Sequence, residues 1–115
     1  MYSRLIIVGN LGKDPELRFT EKGEPVCTFS VACSARKSAE AQETAWYRIT
    51  VWGNQAEACS KYLTKGSKVL VEGRLQFDPA TGGPRLWQDK EGKSRASFEV
   101  FASHVEFLGS RSEEQ

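Results

Sequence analysis

The sequence predicts an all-β fold with one short helix, arranged as a five-stranded Greek-key barrel. Strand-like segments dominate the 115 residues, and one helical segment falls between the third and the fourth of them. A long Gly- and Pro-rich segment separates the fourth strand from the fifth. Hydrophobic residues make up 39% and charged residues 27%, which argues against a coiled coil or a wholly disordered chain. We expect one domain over residues 1–108 and a short, disordered polar tail at 109–115.

Apolar runs, alternating side-chain types and β-branched or aromatic composition predict the first three strands. Residues 3–9 are mostly apolar and end at a glycine. Residues 25–35 alternate between apolar side chains and small or polar ones, as in a strand with one buried face. Residues 45–53 are rich in β-branched and aromatic side chains, which favour strands.

The helix and the last two strands complete the order. Residues 54–63 contain good helix formers, with Asn54 predicted as the N-cap and Gly66 as the C-cap. Residues 68–77 and 96–108 supply the fourth and fifth strands. Three strands, a helix and two more strands is the order that an OB-fold barrel requires.

The segment between the last two strands, residues 78–95, is predicted to form a long protruding hairpin. Trp87 lies in its middle. Residues 60–95 hold eight of the sixteen basic side chains but only four of the fifteen acidic ones. A loop this long in a small domain is usually functional, and the positive charge of residues 60–95 suits an anionic partner.

The third strand carries the most informative pattern. With a period of two, Trp46, Arg48 and Trp52 share one face, whereas Tyr47 and Ile49 point to the barrel interior. Exposed aromatic rings interleaved with arginine form a stacking platform for unpaired bases, worth about 1–3 kcal/mol per base whatever its identity. The alternative is that both indoles are covered at a subunit interface or by a loop, because aromatic residues are also enriched at interfaces.

No pattern indicates an enzyme, a metal site, a cofactor or a membrane span. Cys27, Cys33 and Cys59 have neither a disulfide framework nor zinc-ligand spacing, so we expect buried, reduced thiols in a cytoplasmic protein. His104, the single histidine, lies in a predicted strand without a nucleophile motif. No apolar run approaches the roughly 20 residues of a membrane helix.

Three segments resemble bacterial single-stranded DNA-binding proteins: LIIVGNLGKDPELRF at 5–19, AWYRITVWG at 45–53 and KYLTKGSKVLVEGRL at 61–75. The segments occur in the family's order, and the resemblance covers nearly the whole chain. It implies an OB fold and a homotetramer around which single-stranded DNA is wrapped. It also implies sequence-independent binding, without catalysis, in DNA replication, recombination and repair in the bacterial cytoplasm, at the nucleoid.

The resemblance further implies roles for individual residues. Base stacking is expected at Trp46, Trp52 and Trp87. Phosphate contacts are expected from Arg48, Lys65, Arg18, Arg74 and Arg85. Gly12 and Tyr47 match positions at the family's oligomer interfaces.

The sequence departs from the family pattern in three places. Arg36 and Lys37 occupy a region where family members often carry a further tryptophan. The segment between the last two strands is longer by several residues. Family members usually carry a long tail with an acidic, Phe-terminated tip that recruits replication and repair enzymes, whereas this sequence ends at Gln115. Such protein partners are therefore expected only with a longer acidic tail.

Two other functions are compatible with an OB fold. A primosome-type protein would chiefly dock onto other replication proteins, which the short tail suggests. An OB-fold nuclease would need acidic residues arranged around a metal ion, and the acidic residues here are scattered along the chain.

Overall fold

Eight strands and one helix make up the part of the chain that the computed structural model describes, residues 3–36 and 42–109. The elements are β1 (Leu5–Leu11), β2 (Glu16–Phe19), β3 (Pro25–Arg36), β4 (Gln42–Trp52), α1 (Asn54–Tyr62), β5 (Lys68–Leu75), β6 (Leu86–Gln88), β7 (Ser94–Ala96) and β8 (Phe98–Gly109). The five predicted barrel strands and the helix are present, whereas β2, β6 and most of β7 lie outside the predicted strands. Lys37 and the predicted tail beyond Gly109 lie outside the described residues.

Five strands close into a barrel. β3 pairs with β1 and β4, β5 pairs with β1 and β8, and all four pairings are antiparallel. A parallel pairing between β4 and β8 completes the circle. β2 extends the sheet by pairing with the first half of β3. This closed barrel with one short helix confirms the predicted OB fold.

The barrel interior is built from alternate positions of its strands. Ile49 and Val51 of β4, Val69 and Val71 of β5, and Val100 of β8 are at most 1% exposed. Their branched side chains suit a pleated, buried surface. Fully burying one such side chain contributes roughly 1.5–3 kcal/mol, so these residues hold the outward face of β4 on a rigid support.

The ends of α1 differ from the predicted caps. Gly53 occupies the N-cap at φ 73°, a left-handed conformation that glycine adopts without strain. Asn54 is therefore the first helical residue, and its prediction as the N-cap was wrong. Leu63 is the C-cap, with extended backbone. Gly66, predicted as the C-cap, lies instead in the turn that follows.

The three cysteines are free thiols. Cys27 and Cys59 are buried in the core and Cys33 is half-buried. Burial raises the pKa of Cys27 to about 11 and, with the neighbouring Cys27, that of Cys59 to about 12. Burial also raises the pKa of Cys33. The two core thiols therefore remain protonated at neutral pH.

The segment between β5 and β8 contains a separate two-stranded hairpin, β6–β7, in which Trp87 pairs with Arg95. The Asp89 carboxylate accepts hydrogen bonds from the backbone N–H of Glu91 and Lys93 and from Nε of Arg95, at 2.9–3.0 Å. The bond from Arg95 is the main cause that lowers the Asp89 pKa. The predicted hairpin is thus present and has a hydrogen-bonded tip.

Within the described residues, no helix combines the length and the apolar character needed to cross a membrane.

Candidate nucleic-acid interface

The outward face of β4 carries two indoles and one guanidinium. Trp46 is 53% exposed and Trp52 is 37% exposed. Arg48 is also exposed, whereas Ile49 and Val51 between them are buried. The predicted division of this strand into two faces is therefore confirmed. At about 3.4 Å per residue, Arg48 lies about 7 Å and Trp52 about 20 Å along the strand from Trp46.

The neighbouring strand β3 presents no aromatic or long side chain beside this row. Its outward side chains are small, and side chains at paired positions share a face of the sheet. The pairs are Ala32 with Trp46, Ser30 with Arg48, Thr28 with Thr50, and Val26 with Trp52. A ligand can therefore lie flat against the indoles without meeting a large side chain from β3.

Gly12 packs directly against the Trp46 indole. A Cβ on Gly12 would lie 2.5 Å from Cζ3 and 2.7 Å from Cη2 of that ring. Its backbone is tied to β3 by the bond from Gly12 N–H to the carbonyl of Ser30, at 3.1 Å. The absence of a side chain at Gly12 is thus required for the position of Trp46. This contact is separate from the interface role that the resemblance implies for Gly12.

Lys65 shares a groove with this pair. The groove has a volume of about 550 Å³, and its walls include Gly12, Trp46 and Lys65. An ammonium group and an indole that line one groove suit a nucleotide, whose base can stack while its phosphate pairs with the cation.

The turn that carries Lys65 is fixed to the end of β1 by hydrogen bonds. Asp14 Oδ1 accepts the backbone N–H of Lys65 at 2.8 Å. Gly66 N–H donates to the carbonyl of Leu11 at 2.8 Å, and Asn10 Nδ2 donates to the carbonyl of Gly66 at 3.1 Å. These bonds hold the lysine backbone beside Trp46, although Lys65 is distant from Trp46 in sequence.

Trp46 also lines a second groove. It has a volume of about 490 Å³ and brings Trp46, Tyr47 and Arg48 together with Phe98. The Tyr47 ring stacks on Phe98, with centroids 5.4 Å apart and planes 27° apart. Tyr47 is half-buried against the core. Its role at an oligomer interface stays a prediction.

Arg18 flanks Trp52 across one intervening strand. Arg18 pairs with Val26, and Val26 pairs with Trp52, so their side chains share a face of the sheet. Neighbouring strands are about 4.8 Å apart, which puts Arg18 about 10 Å from Trp52. The exposed guanidinium can therefore reach the backbone of a strand that lies over Trp52.

Phe101 is an exposed aromatic residue on this surface that was not predicted as a site residue. Its ring meets Trp52 edge-to-face, with centroids 4.8 Å apart and planes 87° apart. Arg74 pairs with Phe101 in the β5–β8 ladder and is exposed. Arg74 is thus next to Phe101, at the Trp52 end of the platform formed by Trp46, Arg48 and Trp52.

Trp87 and Arg85 lie on the segment of the β6–β7 hairpin rather than on the barrel face. Trp87 is 50% exposed, and its Nε1 donates to Oγ of Ser97 at 3.0 Å. Ser97 also lines the groove that contains Trp46 and Arg48. Ser97 therefore links the Trp87 indole to the groove beside Trp46. Arg85 immediately precedes β6, the strand that carries Trp87.

His104 lies on the surface, with Nε2 2.6 Å from Oε2 of Glu106. Across residues 3–36 and 42–109, no group of three His, Cys, Asp or Glu side chains is arranged to hold a metal ion.

A closed OB-fold barrel with exposed indoles and cations on one face defines a candidate module for binding unpaired nucleic acid. The model of the single-strand binding protein family matches residues 2–108, and the chain belongs to this family. Two curated relatives are the single-stranded DNA-binding proteins of Neisseria meningitidis serogroup A / serotype 4A and of serogroup B. Each is 37% identical over 115 residues, which cover 96% of this chain but 62% of the relative. The chain thus spans about three-fifths of the length of these relatives.

Proposed function

We propose that this protein binds single-stranded DNA regardless of sequence and protects unwound DNA during replication, recombination and repair. The observation that carries the proposal is the row of Trp46, Arg48 and Trp52 on the open face of β4. Unpaired bases have free ring faces that can stack on indoles, whereas the bases of a duplex are already stacked on one another. Trp87 adds a third stacking position on the hairpin.

The phosphate backbone is held by cations around this row. We assign this role to Arg48, Lys65, Arg18, Arg74 and Arg85. Each phosphate neutralised releases counterions and contributes about 0.7 to the slope of log affinity against log salt for a single strand. Binding is therefore expected to weaken as salt rises. The mechanism uses neither a cofactor nor catalysis.

We also propose a homotetramer, with Gly12 and Tyr47 at its interfaces. Ile6 and Val8 on the outward face of β1 support assembly, because they are 57% and 45% exposed in the isolated chain. Exposed apolar side chains that are neighbours on one strand mark a surface suited to a protein partner. The proposed location is the bacterial cytoplasm, at the nucleoid. Replication and repair proteins are proposed partners where a longer acidic tail is present.

A titration of tryptophan fluorescence tests the proposed function. Oligo(dT) should quench the wild-type emission strongly, and duplex DNA of equal length should not. Trp52→Ala should weaken binding to all homopolymers about 5-fold or more, as expected for the loss of a stacked base. Equal quenching by duplex and single strand, or unchanged affinity of Trp52→Ala, would contradict the proposal.

Charge-matched variants test the phosphate contacts. Lys65→Ala should lower the salt slope by about 0.7. Lys61→Ala is the control, because Lys61 is an exposed lysine of α1 that lies over the Tyr62 ring, 5.3 Å from its centroid. Identical salt slopes in both variants would remove Lys65 from the proposed site.

A further inference from the structure

A further groove lies beyond Trp52, on β5, β8 and the segment that follows β5. Its volume is about 420 Å³. The side chains that shape it are Arg74, Leu75, Gln76, Phe77 and Phe101.

Three apolar side chains of this groove are open to solvent. Leu75, Phe77 and Phe101 are 43%, 44% and 40% exposed. Exposed apolar side chains gathered around one concave surface mark a binding site more often than isolated ones do. The guanidinium of Arg74 adds a positive charge at the same place, so the groove suits a ligand with an apolar ring and an anionic group.

The far side of the groove is a hydrogen-bonded turn. Asp78 N–H donates to the carbonyl of Gly83, and Gly82 N–H donates to the carbonyl of Asp78, each at 2.8 Å. Asp78 Oδ1 also accepts the N–H of Ala80 at 2.9 Å. Phe77 directly precedes this turn and Gly82 lies within it, so one local structure holds this wall of the groove.

The groove is continuous with the platform on β4. Phe101 forms its near wall and contacts Trp52 edge-to-face at 4.8 Å. In the sheet, Thr50 of β4 pairs with Phe101 of β8, which pairs with Arg74 of β5. A strand lying over Trp52 therefore meets Phe101 next and then the cation of Arg74.

We propose that this groove binds one further base of the same single-stranded DNA, stacked between Phe101 and Phe77, with Arg74 on the adjoining phosphate. The inference rests on the proposed function. Single-stranded DNA is the occupant because aromatic walls and a guanidinium supply stacking and phosphate pairing together. The groove would extend the path of the strand from β4 across β8 to β5.

Two phenylalanine variants and a matched control test the groove with oligo(dT) of increasing length. Phe101→Ala and Phe77→Ala should each lower the affinity for long oligonucleotides about 5-fold or more. Neither should change the affinity for oligonucleotides that cover only β4. Phe107→Ala is the control, because Phe107 lies on the same strand, is 41% exposed, and contacts Tyr62 instead of lining the groove. The affinity of Phe107→Ala for oligo(dT) should equal that of the wild type at every length.

The outcomes separate the groove from the proposed function. If Trp46→Ala weakens binding while Phe77→Ala and Phe101→Ala bind like the wild type, the groove inference is overturned and the proposed function remains. If Trp46→Ala also leaves binding unchanged, the proposed function fails. If Phe101→Ala weakens binding at every length and Phe77→Ala does not, Phe101 merely supports Trp52 and the groove inference is again overturned.

Discussion

Replacing Gly12 with alanine adds a methyl group where the Trp46 indole now lies. The added Cβ would sit 2.5 Å from Cζ3 and 2.7 Å from Cη2, and ordinary contact begins at about 3.4 Å. The ring must therefore move by about 1 Å. Because Trp46 is 53% exposed, the indole can move toward solvent without disturbing the core.

The expected effect falls on binding rather than on stability. Gly→Ala in an allowed conformation stabilises a protein by about 0.4–1 kcal/mol through the unfolded state, which offsets the cost of moving an exposed ring. We therefore expect the free energy of unfolding of Gly12→Ala to stay within about 1 kcal/mol of the wild type. Displacing the stacking surface should cost up to about 1–3 kcal/mol of binding, which is about 5- to 150-fold in affinity.

A double-mutant cycle with Trp46→Ala provides the assay. If Gly12 acts through Trp46, the two substitutions will not add, and Gly12→Ala will change little in the Trp46→Ala background. Light scattering on the same samples distinguishes an effect on assembly, which would appear as a changed mass. Unchanged oligo(dT) affinity of Gly12→Ala, or full additivity with Trp46→Ala, would refute the argument.

Three further outcomes follow from the structure. Asp14→Ala removes the acceptor that holds the Lys65 backbone, so it should lower the salt slope of oligo(dT) binding toward that of Lys65→Ala. An unchanged slope would show that Asp14 does not position Lys65 for binding. Burial raises the thiol pKa of Cys27 and Cys59 from 9.0 to about 11 and about 12. Above about pH 9 the folded state therefore keeps protons that the unfolded chain loses. The free energy of unfolding should consequently fall as pH rises above about 9. Denaturation at pH 8 and pH 10 measures this, and a Cys27→Ala/Cys59→Ala variant with the same pH dependence would contradict it. Gly73→Ala would place a Cβ 2.3 Å from a backbone oxygen of β8, so thermal unfolding should show a loss of about 1–3 kcal/mol or more, and an unchanged melting temperature would contradict the packing described for β5 and β8.

The barrel strands were predictable because their periodicity is local. Ile49 and Val51 alternate with exposed Arg48 and Trp52, and such alternation needs no knowledge of the partner strand. β2 lacks this signal, since three of its four residues are exposed. The three residues of β6 and the three of β7 are all exposed as well, so no buried face marks them in the sequence.

Phe101 was missed because alternation fails within β8. Counted back from buried Val105 in steps of two, Phe101 would point inward. The register between β5 and β8 shifts between Glu72 and Gly73, whose partners are His104 and Ala102. The extra residue, Ser103, reverses the inward and outward positions, as a β-bulge does. Phe101 consequently points outward, and only the pairing of two distant strands shows it.

The positions of Gly12 and Lys65 beside the groove of Trp46 could not be predicted from the sequence either. Gly12 meets the Trp46 ring from the position directly after β1, and Lys65 lies on a turn held by Asp14. Both depend on how β1 closes against the rest of the barrel. Sequence patterns indicate that a glycine or a lysine is present, but not which side chain it faces.

We propose that unpaired bases stack on the exposed indoles, and the indole N–H resonances report on this stacking. The chain has three tryptophans, so an ¹⁵N-labelled sample should give three assignable indole signals. Saturating oligo(dT) should shift the signals of Trp46 and Trp52, and duplex DNA of equal length at the same concentration should leave them in place. Unshifted Trp46 and Trp52 signals in a sample that has bound oligo(dT) would show that the strand lies elsewhere and would contradict base stacking on these two indoles.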